Sequence, residues 1–98
     1  MHIQKITATQ SLIKPPLSEK LKSGCVVLQP GQEVEKHVTE NREEVLIILE
    51  GTATVHCETE VETVYAPSLV YIPKNKKHNV INESDSPLKY LYIVTRIN

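Results

Sequence analysis

Two of the four histidines in this 98-residue chain, His37 and His78, bracket its apolar middle, and Glu44 stands between them. Two imidazoles and one carboxylate suit Zn, Fe, Ni, Mn or Co, and three protein ligands leave coordination positions open for water or a substrate. An ion held this way could polarise a carbonyl or enolate oxygen, or bind and activate O2. The plainer alternative for the histidines is a hydrogen-bonded role without metal. For Glu44 it is a surface acid in the polar stretch of Glu40, Arg42, Glu43 and Glu44. A buried carboxylate without a partner is costly, and a cation or imidazolium beside it removes most of that cost. The other histidines read as bystanders. His56 alternates with Val55 and Cys57, in phase with Glu58 and Glu60, which predicts an exposed position. His2 is a plain terminal residue.

Residues so far apart meet only if the elements carrying them converge. Val, Ile, Thr and Tyr are abundant and helical periods are rare, so those elements are strands. Ser23 to Leu28 is a short β-branched run ended by the turn signal Pro30-Gly31. Glu33 to Thr39 alternates in part and is expected as the next strand, with a polar bend over Asn41 to Glu44. Val45 to Leu49 is an uninterrupted apolar run that suits a strand covered on both faces. Thr52 to Val64 sets Val55, Cys57, Thr59 and Val61 against His56, Glu58, Glu60 and Glu62, which is period two and one wet face. That segment is one or two strands, with no hairpin glycine near Glu60 to mark the turn. Leu69 to Ile72, His78 to Ile81 and Leu88 to Ile97 complete the set, separated by Pro73, by Lys74 to Lys77 and by the polar loop from Asn82 to Pro87. Pro15-Pro16 breaks the N-terminal segment, and Leu17 to Lys22 could form one helical turn. Inward positions alternate along every strand of a closed barrel, so side chains from distant strands can face one point.

Around the three ligands the sequence resembles the cupin superfamily. Its first motif is written G-x5-H-x-H-x3,4-E-x6-G. Gly31, His37, Thr39, Glu44 and Gly51 fall on those spacings, with Thr39 in place of the second histidine. The second motif is G-x5-P-x-G-x2-H-x3-N. Pro67, Pro73, Asn75, His78 and Asn82 meet its spacings, with Pro67 and Asn75 in place of its two glycines. Asn tolerates a left-handed turn better than other non-Gly residues, so the second change is mild. The resemblance implies an all-β chain, a single-domain cupin-type jelly-roll β-barrel over residues 1–98. An N-terminal arm or edge strand over 1–22 would lead into a barrel core over 23–98. It also implies a divalent metal near the barrel centre, with ligands carried over to His37, Glu44 and His78. Thr39 at the fourth place is a weak ligand for such metals, and would bind a metal-held water or pack. The site could then be a three-ligand one, weak, or lost, since some cupins hold no metal.

Few other residues offer chemistry. Tyr71 and Tyr92 could present hydroxyls to the cavity and are the candidate catalytic residues, although a Tyr in a small barrel is often core. His56 and Glu35 are weaker candidates. The Lys74, Lys76 and Lys77 run is either a solvated turn or an attractor of an anionic substrate such as a carboxylate or sugar phosphate. The two cysteines, Cys25 and Cys57, have no paired spacing and read as lone small thiols. No G-x-S-x-G, Walker-type loop or CxxC pair appears, so serine nucleophiles, P-loop nucleotide binding and thiol redox motifs find no support.

Composition narrows the partners. Apolar residues make up 40% of the chain and there is no Trp or Phe, so Val, Ile, Leu and four Tyr must build the core. A net charge of −1 lacks the basic excess expected of nucleic-acid binding. With no secretory h-region and no membrane span, a cytoplasmic protein is expected. The expected partner is a small polar ligand or substrate, carboxylate-like or sugar-like. A homodimer is expected too, because so small a barrel leaves edge strands and an apolar sheet face to cover. Two functions of different class fit: a metal-dependent oxygenase or isomerase, or a small-molecule-binding or sensory module without turnover.

Overall fold

The computed structural model describes residues 1–97, and these hold nine strands and no helix. The strands are β1 (Gln10–Ser11), β2 (Lys22–Leu28), β3 (His37–Val38), β4 (Arg42–Glu50), β5 (Thr52–Cys57), β6 (Glu60–Tyr65), β7 (Ser68–Ile72), β8 (Lys77–Ile81) and β9 (Leu88–Arg96). They form two antiparallel sheets, one ordered β1-β2-β9-β4-β7 and the other β3-β8-β5-β6. Their inner faces enclose one core of Leu46, Ile48, Ile72 and Leu88 from the first sheet and Ala53, Val55 and Val80 from the second. This is the all-β, jelly-roll architecture expected, and the first sheet begins with the N-terminal edge strand β1.

The β4 run is not covered equally on both faces. Glu44, Leu46 and Ile48 point inward and are buried, while Val45 and Ile47 lie half-exposed on the outer face and Leu49 is exposed. Other local expectations change as well. Pro15 to Lys20 is a series of turns and bends, with no helical turn. Between Glu33 and Thr39 only His37–Val38 pairs as a strand, plus an isolated Glu33–Ile81 bridge, because Glu35 takes a left-handed φ of 76° that breaks the extended backbone. The bend ends earlier than expected, and β4 starts at Arg42.

The last change concerns the β5–β6 hairpin. Its turn is Glu58-Thr59, with Glu58 at φ 53° supplying the left-handed residue in place of a glycine. Cys57 pairs with Glu60 and His56 with Val61. Paired residues share a face, so the parity of the inward positions inverts across the two-residue turn. Val55 and Cys57 face in before it and Val64 after it, while Val61 is left exposed on the outside.

The glycines and Asn82 hold the connections. Gly51 sits at φ 86° with the Pro87 carbonyl where a Cβ would stand, so no other residue fits there without moving the β8–β9 loop. Asn82 is fully buried and ties that loop down. Its Nδ2 donates to the Leu28 and Ser86 carbonyls, and its Oδ1 accepts from the Ser84 backbone and hydroxyl. Asn75 adopts φ 61°, as its place in a glycine position suggests, and its Oδ1 accepts from the Asn41 backbone.

Candidate metal centre

His37 and His78 are direct cross-strand partners on β3 and β8, so their imidazoles point to the same face, into the barrel. Their ring centroids lie 4.2 Å apart at 60°. Glu44 reaches them from β4 in the opposite sheet. One donor atom from each of the three lies within 4.8 Å of the others. The trio expected from the sequence is therefore brought together, from both sheets, at one point.

Each histidine is oriented by its own chain. His37 Nδ1 donates to the Glu35 carbonyl at 2.9 Å, and His78 Nδ1 donates to the Lys76 carbonyl at 2.9 Å. Both rings thus turn Nε2 toward the centre. A backbone carbonyl on the far nitrogen is the usual means of fixing a ligand imidazole's tautomer and raising its basicity. The left-handed Glu35, two residues before β3, is the residue whose carbonyl does this for His37.

Glu44 and His78 are buried, and Glu44 Oε1 accepts from His78 Nε2 at 3.0 Å. Burial opposes the imidazolium, but the Glu44 hydrogen bond, the Lys76 carbonyl and the Glu44 charge outweigh it and hold the His78 pKa above its ordinary value. With Nδ1 committed to a carbonyl, Nε2 facing a buried carboxylate must carry either a proton or a metal ion. Ligands about 2.0–2.2 Å from an ion stand at most ~4.4 Å apart, so the observed spread closes with a small side-chain adjustment. The donor set fits a divalent metal. His37 is exposed at the site's outer edge, which leaves the solvent side open for further ligands.

His37 and Glu44 line an open cavity of about 1010 Å³, and His78 lies buried behind them. Thr39 lines it, in phase with His37, where a hydroxyl can meet a metal-held water. Tyr92 lines it as expected, and its ring lies against Gly24, where any Cβ would collide with it. Tyr90, two residues earlier on the same face, lines the cavity too. It was legible from the period-two run of Leu88, Tyr90, Tyr92 and Val94. Burial, with Glu44 nearby, raises the pKa of both phenols, so both stay protonated at neutral pH and can donate but not act as bases.

Other candidates lie elsewhere. Tyr71 is 52% exposed on the outer face of its sheet, where its hydroxyl donates to Glu43 at 2.9 Å. Period two along β7 turns Ile72 inward and therefore Tyr71 out, so it stands away from His37, Glu44 and His78. His56 is half-buried and points away from the cavity, paired with Asn79. Glu35 contributes its carbonyl rather than its carboxylate. Lys74, Lys76 and Lys77 form an exposed turn that does not line the cavity. The cations that do line it, Lys22, Arg42 and Arg96, stand in phase with Gly24, Glu44 and Val94 on their strands. Cys25 and Cys57 are free thiols, both pushed up in pKa first of all by burial.

Comparison with known proteins agrees with this geometry. The family model described as "Cupin domain" matches residues 24–94, and the chain belongs to the cupin family. A structure of TT1209 from Thermus thermophilus superposes with a TM-score of 0.80 at 26% identity, over 93% of this chain and 86% of that one. A cupin-superfamily sugar phosphate isomerase from Silicibacter pomeroyi superposes at 0.72 with 20% identity, over 80% of this chain and 52% of that one. A Vibrio cholerae protein provisionally named mannose-1-phosphate guanylyltransferase is 28% identical over 75 residues, 76% of this chain. The match spans only 16% of that relative's length. Among the described residues no helix is long and apolar enough to cross a membrane.

Proposed function

We propose that this chain is a metal-dependent cupin that holds one divalent ion through His37, Glu44 and His78 and uses it to bind or transform a small polar molecule in the cavity. The supporting observation is the convergence itself: three donors from opposite sheets meet within 4.8 Å, with both imidazoles aimed by backbone carbonyls. When bound, the ion supplies Lewis-acid polarisation of an oxygen-bearing ligand. Thr39 then orients water or ligand, and the Tyr90 and Tyr92 phenols donate hydrogen bonds from the cavity wall. A reading without turnover, as a ligand-binding module, is favoured by one observation. Both cavity phenols are held protonated, and among the described residues no carboxylate or imidazole besides His37, Glu44 and the exposed Glu40 lines the cavity.

Metal analysis of protein purified without an affinity tag tests the reading. Near-stoichiometric Zn, Fe, Ni, Mn or Co is expected in the wild type, and its loss in His37→Ala with the fold intact. Metal-free wild type after growth with each of these ions would overturn it.

The same reading includes a homodimer. On the outer face of the five-stranded sheet, register aligns Leu69, Ile47 and Leu91 in one row and Tyr71, Val45 and Ile93 in the next. Leu69 is 64% exposed, and the rows carry no charge. A second copy packed sheet to sheet would cover this patch, since a two-fold interface needs a self-complementary surface. Sedimentation velocity should show a dimer that Leu69→Glu converts to monomer. A wild-type monomer at micromolar concentration would exclude it.

A further inference from the structure

The cavity carries its charge asymmetrically. His37 and Glu44 line one part of it, and Lys22, Arg42 and Arg96 line another, toward its mouth. The register explains the cluster. Arg42 on β4 and Arg96 on β9 are direct cross-strand partners, each two residues from an inward position, Glu44 and Val94. Lys22 on β2 pairs with Val94 one row deeper. Three adjacent strands therefore deliver three cations to one rim, all in the inward phase.

This arrangement opposes the usual rule for sheets. Like charges placed directly opposite each other across a strand pair are unfavourable. Among the described residues the one salt bridge is His78–Glu44, so no described carboxylate stands within 4 Å of Lys22, Arg42 or Arg96. The acids nearby are otherwise engaged. Glu44 accepts from His78, Glu43 faces the outer surface with Tyr71, and Glu40 lines the mouth, exposed and out of ion-pair reach. Two arginines paired across adjacent strands, with no described carboxylate in ion-pair reach of either, offer planar donors to an oxyanion.

We infer that the rim formed by Lys22, Arg42 and Arg96 is an anion subsite, and that the cavity's ligand is a small acid: a molecule with metal-binding oxygens at one end and a carboxylate or phosphate at the other. Spacing sets its length. Arg42 is two residues along β4 from Glu44, about 7 Å, and Lys22 is two strand spacings from Glu44, about 9.5 Å. The anionic group therefore sits one short carbon chain or one sugar ring away from the metal. Neutral sugars and uncharged aromatic ligands lack the group that this rim binds. The open mouth also lets the three cations draw the ligand in before it meets the metal. The metal centre proposed above locates only the far end of the ligand, and the anion subsite stands on the rim residues alone.

Inorganic phosphate and succinate serve as probes. Each would be titrated at low ionic strength into the wild type, Arg42→Gln, Arg96→Gln and Lys74→Gln, with backbone and arginine side-chain N–H signals followed by NMR. Saturable shifts at Arg42 and Arg96 are expected, with affinity falling about tenfold or more in either arginine variant and unchanged in Lys74→Gln. The relative affinity of the two probes assigns the oxyanion as phosphate or carboxylate. Metal content measured on the same samples keeps the two readings apart. Anion binding lost in the arginine variants, with metal retained, supports the subsite. A metal-loaded protein that binds neither probe overturns it and leaves the metal centre standing. Shifts that centre on Lys74 to Lys77, or that survive both arginine substitutions, also overturn it.

Discussion

His78 has an acceptor at each ring nitrogen: the Lys76 carbonyl at Nδ1 and the Glu44 carboxylate at Nε2. Without a metal, the imidazolium satisfies both contacts, donating to each acceptor. Its folded-state pKa is raised above the ordinary 6.5, so the protonated pair stabilises the metal-free fold fully below about pH 6.5. That stabilisation is lost as pH rises through the folded-state value. Thermal unfolding of chelator-treated protein should therefore show a Tm that falls as pH rises above about 6.5, and His78→Gln should flatten the fall. A wild-type profile with the same slope as the variant would assign the dependence to other groups. The same residue scale shows what a sequence can and cannot tell. His37, Glu44 and His78 were legible because motif spacing fixed them. Tyr71 was misplaced because its side depends on the phase of a strand, and a one-residue error in phase exchanges inside for outside. Tyr90 shares the phase of Tyr92 on β9 and was overlooked although that run carried it.

Strand phase was readable where a strand has a clear start, as in β9, and unreadable across the β5–β6 hairpin. There the alternation in sequence runs straight through Glu58-Thr59, but the two-residue turn reverses which parity faces the core. Val61 looked like a core residue and is exposed for that reason. Turn chemistry was legible where a motif pointed to it: Asn75 takes the left-handed φ its position requires. Asn82 belongs to the same motif, and the structure shows why an amide stands there. It makes four hydrogen bonds across the β8–β9 loop from a fully buried position. Asn82→Ala strands the Leu28 carbonyl and the Ser84 amide, and should lower stability by about 2–3 kcal/mol. Urea denaturation would show this as a lower midpoint at unchanged m-value. A loss below about 0.5 kcal/mol would mean that the loop holds without it.

At the scale of the whole molecule the three candidate ligands form a group that neither sheet supplies alone. His37 and His78 belong to the four-stranded sheet and Glu44 to the five-stranded one. An ion held by all three would bridge the two sheets, which otherwise meet through the shared core of Leu88, Ile48 and Ala53. Such a bridge exists only in the folded chain, so binding stabilises by mass action, about 2.7 kcal/mol at a free metal concentration one hundred times Kd. For a chain of this size that raises Tm by roughly 10–20 °C. His37 is exposed, so His37→Ala should leave the metal-free Tm within a few degrees of wild type while abolishing most of the metal-induced rise. Glu44→Gln should abolish the rise as well, by cutting the link to the other sheet, and should also remove the pH dependence that His78 gives the metal-free protein. Calorimetry of the three proteins, each with and without metal, measures all of this in one series. A full rise in both variants would place the ion outside this trio, and the bridge between sheets would then have to be abandoned.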